Sequence, residues 1–419
     1  MPVSFDPFST AWRDDPYPKY RELREHAPVH WSPEAKVWCV SRYEDVMAVL
    51  RSHDLFSSRA MMTQLMMGGE REGPPITPRS LLFAARLMLT ARINPFTFPK
   101  VPSLIASDGD RHSRLRAIVN RGFTPRQIAA WEKRAREIVA ECMQKAASGD
   151  FDVVHDLAIP LPVTVIAEML GIEPSRRHDF KRWSDVVIDN ASGAGRAEPF
   201  GPKVLDAFAE MTRYVVQVAR ARRKHPADDL ISQLVSVDGG EALSPVEMVQ
   251  FVTLLLVAGN ETTTNLIGNA AAALLDHPDQ LARVAAEPEL IPSLIEETLR
   301  FDAPIQLVFR EAIADVEVGG VRIPVGATVA PLIGSANRDE RRFPDPDTFD
   351  AGRSPQGHAG FGFGKHFCLG ASLARLEARV ALEALVPELV RMRRVEACVP
   401  RVDSFLVRGP SRLPLRKAA

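Results

Sequence analysis

The sequence is poor in cysteine and has no long apolar run. Its 419 residues include four cysteines, Cys39, Cys142, Cys368 and Cys398, and no two of them form a C-x-x-C pair. Thiols so widely spaced give no sign of a disulfide scaffold, a zinc site or a redox dithiol, and they favour a reduced, intracellular protein. No stretch approaches the ~18 apolar residues of a membrane span, and the N-terminus lacks the basic and apolar regions of a signal peptide. We therefore expect a cytoplasmic protein without a membrane span.

The chain also lacks an excess of charge of either sign. It has 52 Lys and Arg against 53 Asp and Glu, a formal net charge of −1, whereas a nucleic-acid-binding protein needs a basic surplus to neutralise phosphates. Hydrophobic residues make up 46% and charged residues 25% of the chain, so a large packed core is expected. The sequence shows no internal repeat and no low-complexity linker. We predict a single domain over residues 1–419, acting as a monomer.

Helical periodicity dominates the middle of the chain. Residues 110–300 read as largely helical, and Ser244-Pro245-Val246-Glu247 is a capping box with proline at the first helical position. The run from Pro245 to about Leu275 has no further proline and is apolar over most of its circumference, which predicts one long buried helix. After Arg300 the pattern changes to short strands, with a hairpin around Gly319-Gly320. The sequence therefore predicts a mainly α fold with small β-sheets.

Polar residues interrupt this long helix at Ala258-Gly259-Asn260-Glu261-Thr262-Thr263. Glycine costs about 1 kcal/mol in a helix interior, and a carboxylate in an apolar helix is costly unless it has a use. A hydrogen bond from the Thr262 hydroxyl to the Ala258 carbonyl would loosen the helix and make room for a ligand. The flanking leucines argue against a solvent-facing polar stripe. We therefore take Glu261 and Thr262 as candidate functional residues.

A glycine-rich turn carries the third cysteine. In Phe361-Gly362-Phe363-Gly364-Lys365-His366-Phe367-Cys368-Leu369-Gly370, the glycines permit a tight turn and a close approach of the backbone to a flat ligand. Cys368 stands at the entrance of a last long helix, where the positive end of the helix dipole favours a thiolate. A lone cysteine in such a turn would be structural. The full spacing Phe-x-x-Gly-x-x-x-Cys-x-Gly, however, resembles the haem-binding signature of the cytochromes P-450.

This resemblance to the soluble bacterial cytochromes P-450 covers nearly the whole chain. It implies that haem b (iron protoporphyrin IX) lies between the long oxygen-activating helix and the helix after the cysteine loop, with Cys368 as iron ligand. A thiolate ligand favours O–O cleavage. The implied reaction inserts one atom of O2 into a C–H or C=C bond. Glu261 and Thr262 match the family's acid–alcohol pair, whose implied role is proton delivery.

Further residues match the family's haem contacts and its buried ion network. His112 and Arg116 match propionate ligands, although Gly109 and Asp110 stand where the family usually has prolines. The residues implied to contact haem are His112, Arg116, Ala258, Arg310, Phe361, His366, Cys368 and Gly370. Glu297, Arg300 and Arg353 match the ion network, which we interpret as structural support for the loop behind the haem.

The resemblance is weakest over residues 59–107, a variable, apolar and methionine-rich segment without a steady period. In the family this region lies over the substrate pocket. Connections this long are usually functional or disordered. Two interpretations stay open: a substrate lid, for which adaptable methionine side chains are suited, and a mobile insertion without substrate contact.

The implied substrate pocket is almost entirely apolar, which predicts a lipophilic substrate: a terpenoid, steroid, fatty acid or polyketide. Its predicted walls are Leu254, Val257, Ala258, Ile305, Gln306, Leu307, Val308, Phe405 and Leu406. The sequence contains no flavin or iron–sulfur motif, so NAD(P)H is expected to supply electrons through a separate ferredoxin-type donor and its reductase. A docking face for that donor is predicted at Lys365, Arg375, Arg379 and Arg114.

Three other functions are compatible with parts of this pattern. A peroxygenase would use the same haem-thiolate with hydrogen peroxide, but it would not need the Glu261-Thr262 pair. A haem-thiolate sensor or carrier would bind haem without turnover. A helical protein without haem would require every motif match to be accidental.

Overall fold

The computed structural model describes residues 3–61, 64, 81, 83–85, 88–89, 101–146, 149–192, 201–235 and 242–417. Most of the segment 59–107, and with it the predicted lid, lies outside the described residues. Helices predominate, as the sequence predicts, and the strands are short. None of the described helices is long and apolar enough to cross a membrane.

The described helices are numbered in chain order. They are α1 (Tyr17–His26), α2 (Tyr43–Arg51), α3 (Gly109–Asn120), α4 (Pro125–Ala130), α5 (Glu132–Met143), α6 (Pro160–Met169), α7 (Arg177–Ser192), α8 (Pro202–Lys224), α9 (Leu230–Val235), α10 (Pro245–Asp276), α11 (Pro278–Ala286), α12 (Ile291–Phe301), α13 (Ile333–Ala336) and α14 (Ala371–Leu389). A π-helical turn, Val153–Ala158, precedes α6.

The described strands form three small sheets. The strands are β1 (Val29–Ser32), β2 (Val37–Val40), β3 (Phe56–Ser57), β4 (Asp150–Asp152), β5 (Arg310–Ala312), β6 (Val316–Val318), β7 (Val321–Ile323), β8 (Thr328–Pro331), β9 (Met392–Arg394) and β10 (Pro414–Lys417). Their orders are β1-β2-β8-β5-β3, β4-β10-β9 and β6-β7. All pairs are antiparallel except β2 and β8, where Cys39 lies opposite Ala330 in a parallel register.

Helix α10 and the β6–β7 hairpin form where local sequence signals predict them. The long helix α10 begins with the predicted capping box, because the Ser244 amide donates to the Glu247 carboxylate at 2.9 Å and the Glu247 amide donates to the Ser244 hydroxyl at 3.3 Å. The β6–β7 hairpin turns at Gly319 and Gly320, whose φ angles of 54° and 79° are left-handed and suit glycine.

The chain divides into two compact units by its internal contacts. The first comprises residues 1–60, 128–162 and 261–419, and the second comprises 61–127 and 163–260. The first unit contains all of the sheets; one face of the large sheet packs on α2 through Val46, Leu50 and Val329. The second unit is helical, and Trp183 of α7 is fully buried there, donating its indole N–H to Glu210 of α8 at 3.1 Å.

Candidate active site

The cysteine loop of the first unit is held by its own backbone. Gly362 and Gly364 have φ angles of 69° and 70°, which L side chains rarely adopt. The Cys368 amide donates to the Phe361 carbonyl at 2.9 Å, and the Phe367 amide donates to Gly364 at 3.0 Å. The chain then enters α14 at Ala371, so the partly exposed Cys368 thiol lies at a helix N-terminus, where a thiolate is stabilised.

Gly370 tests whether this loop fits a flat cofactor. Its φ of −86° is one that any residue adopts. A Cβ atom added there would meet no described atom within 4 Å. Neither the backbone nor the packing of the described chain therefore requires glycine, whereas a planar ring lying against the loop would. With a thiol as the adjacent donor, these residues fit a haem.

The centre of α10 carries an apolar stripe that its own packing leaves uncovered. Leu254 and Val257 are half-buried and Ala258 is exposed, although Leu256 in the same turn is fully buried. Apolar side chains that stay partly exposed in the middle of a long helix are typical of a surface that a ligand can cover. Glu261, half-buried, lies four residues after Val257 and therefore on nearly the same face.

Two residues of the polar interruption have packing roles that the sequence did not reveal. A Cβ atom on Gly259 would approach Ile166 Cδ1 to 2.5 Å, so this glycine allows α6 to lie close to α10. Asn260 is buried and donates to the Ser184 hydroxyl of α7 at 2.9 Å. Glu261 and Thr262 are both half-buried, and their predicted role in proton delivery stays a prediction.

The predicted ion network is present in the first unit. Arg300 pairs with both oxygens of Glu297 at 2.8 Å, and both side chains are completely buried. Arg353 donates to the same carboxylate at 3.1 Å. The two arginines also donate to backbone carbonyls of the segment before the cysteine loop, including Thr348. The network therefore fixes backbone, which agrees with a structural role.

A second group of charges lies around the cysteine loop and was not singled out from the sequence. Glu296, next to Glu297, accepts two hydrogen bonds from Arg375 and one from His358. Also missed was Glu377 of α14, which is buried and bonded to the Thr263 side chain. Two signals were available in the sequence. Glu296 is a charged residue beside the Glu297–Arg300 motif, and Glu377 is a carboxylate inside an apolar helix.

The predicted propionate ligands occur in both units. His112 and Arg116 lie one turn apart on α3 of the second unit; His112 is buried and Arg116 donates to Asn120 at 3.1 Å. Arg310 of the first unit is buried on β5. In that unit His366 Nε2 lies 2.9 Å from the Ser58 hydroxyl.

The predicted pocket residues differ in what they contact. Ile305 and Val308 are half-buried, whereas Leu307 is buried. Gln306 donates its side chain to the Ala303 carbonyl at 2.8 Å and its backbone amide to the Leu406 carbonyl. Phe405 packs edge-on against Phe8 with ring centroids 4.9 Å apart. Gln306 and Phe405 thus have structural contacts, and their part in a substrate pocket stays a prediction.

Most of the cations predicted for the docking face are already paired. Arg375 is bonded to Glu296, Arg379 to Glu132 at 2.8 Å, and Arg114 to Glu247. Lys365 is exposed. Because each paired carboxylate offsets one positive charge, these three arginines present less positive charge than the sequence suggested.

Comparison with known proteins agrees with this geometry. The family model described as Cytochrome P450 matches residues 194–389. The vitamin D(3) 25-hydroxylase of Pseudonocardia autotrophica is 36% identical over 419 residues, covering 98% of this chain and 96% of the relative. The 6-deoxyerythronolide B hydroxylase of Saccharopolyspora erythraea is 36% identical over 421 residues, covering 98% and 97%.

Solved structures share the fold. Cytochrome P450 CYP109Q5 from Chondromyces apiculatus has a TM-score of 0.85 at 39% identity and covers 100% of this chain and 99% of its own. CYP109E1 from Bacillus megaterium, in complex with testosterone, has a TM-score of 0.81 at 35% identity, covering 97% and 100%. Because relatives of this identity extend over almost all of it and have its fold, the chain belongs to the cytochrome P450 family and is an oxidoreductase of the monooxygenase class.

Proposed function

We propose that this protein binds haem b through the Cys368 thiolate and hydroxylates or epoxidises a lipophilic substrate with O2. The observation that carries the proposal is the cysteine loop, where a thiol at the start of α14 adjoins a glycine that the described chain itself does not require. Haem, when bound, supplies the oxygen-activating chemistry, and the protein supplies the ligand, the proton path and a dry pocket.

The residues of the chain would then have the following roles. The Cys368 sulfur would be held as a thiolate by the helix N-terminus and would be the ligand of the haem iron. The Thr262 hydroxyl would hold a proton beside the haem site, and the half-buried Glu261 carboxylate would pass protons to it from solvent. Side chains with positive charge or N–H donors, His112, Arg116, Arg310 and His366, would bind the two propionates. Ala258, Phe361 and Gly370 would contact the ring.

Supporting the substrate class are the relatives and the apolar stripe of α10. The two hydroxylases named above act, by their names, on vitamin D3 and on 6-deoxyerythronolide B, and CYP109E1 binds testosterone. Leu254, Val257 and Ala258 offer no charge to a ligand, so binding would come from burial of apolar surface. We propose a bulky alicyclic substrate, a steroid or a polyketide macrocycle, ahead of a terpenoid or fatty acid.

Electrons are proposed to come from NAD(P)H through an external ferredoxin-type donor. The sequence has no flavin or iron–sulfur motif of its own. Reduction of the purified protein should therefore be slow with NAD(P)H alone and fast when a ferredoxin and its reductase are added.

The first test is the spectrum of the reduced carbonyl complex. Dithionite and carbon monoxide should give a Soret band at about 450 nm, the sign of a cysteinate-ligated haem. Cys368→Ser should lose this band, whereas the same change at the buried Cys39 should keep it. A wild-type protein that binds no haem would contradict the proposed function.

The proton path is tested by Thr262→Ala. Product formation should fall on the order of a hundredfold, while NAD(P)H is still consumed and hydrogen peroxide is released. Thr262→Ser keeps the hydroxyl and should keep most of the activity. Full activity of Thr262→Ala with hydrogen peroxide, and little activity of the wild type with NAD(P)H, would favour the peroxygenase instead.

A further inference from the structure

Glu296 of α12 connects the two sides of the cysteine loop. His358, which precedes the loop, has its Nε2 3.0 Å from one carboxylate oxygen. Arg375, which follows the loop on α14, donates Nε and Nη2 to the two oxygens at 2.7 and 2.8 Å. The Glu296 carboxylate thus links a residue that precedes Cys368 in the chain to one that follows it.

The orientation of the His358 ring is fixed by a second contact. The Gly360 amide donates to His358 Nδ1 at 3.1 Å, so Nδ1 must be an acceptor. The Nε2 atom then carries the proton and donates to Glu296. The bidentate ion pair of the group is the one between Glu296 and Arg375.

Arg375 reaches the loop through an aromatic ring. Its guanidinium lies 4.5 Å from the centroid of Phe361, a cation–π distance. The carbonyl of Phe361 accepts the amide of Cys368 at 2.9 Å. The guanidinium of Arg375 is held in this position by its bidentate pair with Glu296.

The charges of this group act on the sulfur in opposite directions. Burial would raise the pKa of Glu296, but the hydrogen bonds from Arg375 and His358 lower it to about 2, so the carboxylate is ionised. Hydrogen bonding to Glu296 raises the pKa of Arg375, and the charge of Cys368 adds to this rise, so arginine and thiolate attract each other. Glu296 offsets part of the positive charge that Arg375 presents to the loop.

We propose that Arg375 and Glu296 are positioning residues that set, with opposite signs, the charge around the Cys368 thiolate and hence the reduction potential of the haem iron. This rests on the haem-thiolate site proposed above. A positive charge near the thiolate weakens its donation and favours the ferrous state, which has one more negative charge. The docking role predicted for Arg375 from the sequence would not affect a potential measured without a donor protein.

The test is a dye-mediated redox titration of three purified variants without a redox partner. Arg375→Gln should lower the potential and Glu296→Gln should raise it. Each should change the ferrous-to-ferric ratio at a fixed potential about threefold, equal to ~28 mV at 59 mV per tenfold for one electron. The double variant should return close to the wild type.

Controls separate charge from structure. Arg375→Lys keeps the charge but loses the bidentate geometry, and its potential should stay near that of the wild type. Arg379→Gln removes a paired charge one turn further along α14 and should shift the potential less than Arg375→Gln does. If Arg375→Gln binds no haem, Glu296→Gln decides alone by the sign of its shift.

Shifts of the same sign in both glutamine variants, no shift in either, or loss of haem from both would overturn the inference in favour of a purely structural role. The wild-type carbonyl spectrum keeps the two proposals apart. A wild type with the 450 nm band and no opposed shifts contradicts only this inference, whereas a wild type without haem contradicts the proposed function.

Discussion

Gly370 offers a way to separate cofactor binding from folding. Gly370→Ala should change the stability of the haem-free protein by less than ~0.5 kcal/mol, because its φ of −86° suits alanine and no described atom is close to the added methyl group. The same methyl group should weaken haem binding by about 1–3 kcal/mol through overpacking against the ring. Thermal unfolding of the haem-free protein and haem transfer to an acceptor protein measure the two effects.

A matched control lies in the same loop. Gly364 has a φ of 70°, and an added Cβ would lie 2.8 Å from His53 Nε2. Gly364→Ala should therefore destabilise the haem-free protein as well. Equal losses of stability in both alanine variants would contradict the reading of Gly370.

Glu377 makes the stability of the protein depend on pH. It is fully buried, and burial raises its pKa to about 8, with the Thr263 hydroxyl opposing the rise. Between the unfolded pKa near 4.5 and the folded value, folding takes up a proton, so the stability present below pH ~4.5 is lost as the pH rises toward 8.

Glu377→Gln should remove this loss. Its melting temperature should match that of the wild type near pH 5 and exceed it increasingly toward pH 8. The corresponding difference in the free energy of unfolding is about 1.4 kcal/mol per unit of pKa difference. Scanning calorimetry at several pH values checks this. Parallel pH profiles for the two proteins would show that Glu377 is ionised in the folded state.

What the sequence revealed about individual residues depended on the range of their contacts. The cysteine loop and the Glu297–Arg300 pair were found because their spacing matches family motifs, and the two members of the pair are only three residues apart. Glu296 was not found, because His358 is 62 positions away and only folding brings the two together. Gly259 was noticed, but the residue that requires it, Ile166, lies on another helix and could not be inferred.

The N-terminal cap of helix α10 is also tied to α3 by ion pairs. Glu247 closes the capping box with Ser244 and also binds Arg111 and Arg114 of α3. Ser244→Ala should cost about 1 kcal/mol of stability, since it removes the hydroxyl that accepts the Glu247 amide. Ser113→Ala, on the exposed side of α3, should have almost no effect. Urea denaturation of both variants gives the comparison, and equal effects would argue against the cap.

Among the elements, those with a local signal were predicted and the long-range pairings were not. The capping box, the proline-free run and the Gly-Gly turn gave α10 and the β6–β7 hairpin. The parallel pairing of β2 with β8 joins segments nearly 300 residues apart, and four-residue strands carry no information about such a partner. The position of β10 between β4 and β9 was missed for the same reason.

The beginning and the end of the first unit are joined at one buried carboxylate. Asp302 accepts hydrogen bonds from the Tyr17 hydroxyl and from Arg408, both at 2.7 Å. Arg408 also donates to the carbonyls of Arg13 and Asp14. Burial would raise the pKa of Asp302, but Arg408 and Arg401 lower it to about 2, so the carboxylate is charged and needs its cations.

Arg408→Leu should destabilise the protein by about 3–5 kcal/mol, because it leaves a buried charge without its main partner. Tyr17→Phe removes one neutral hydrogen bond from the same carboxylate and should cost only about 1–2 kcal/mol. Denaturant titration measures both. A loss for Arg408→Leu no larger than that for Tyr17→Phe would show that Arg401 alone can neutralise Asp302.

The two neighbouring glutamates of α12 differ in how freely they can vary during evolution. Glu297 is fully buried with Arg300, so most replacements there would leave an arginine without its counter-ion in the core. Glu296 serves a half-exposed arginine that water can solvate. Substitutions at position 296 are therefore compatible with folding. Selection can then act on them through their proposed effect on electron uptake. On the role in the reduction potential proposed above, adjacent codons would give a lineage one position to conserve for folding and one at which electron uptake can be changed.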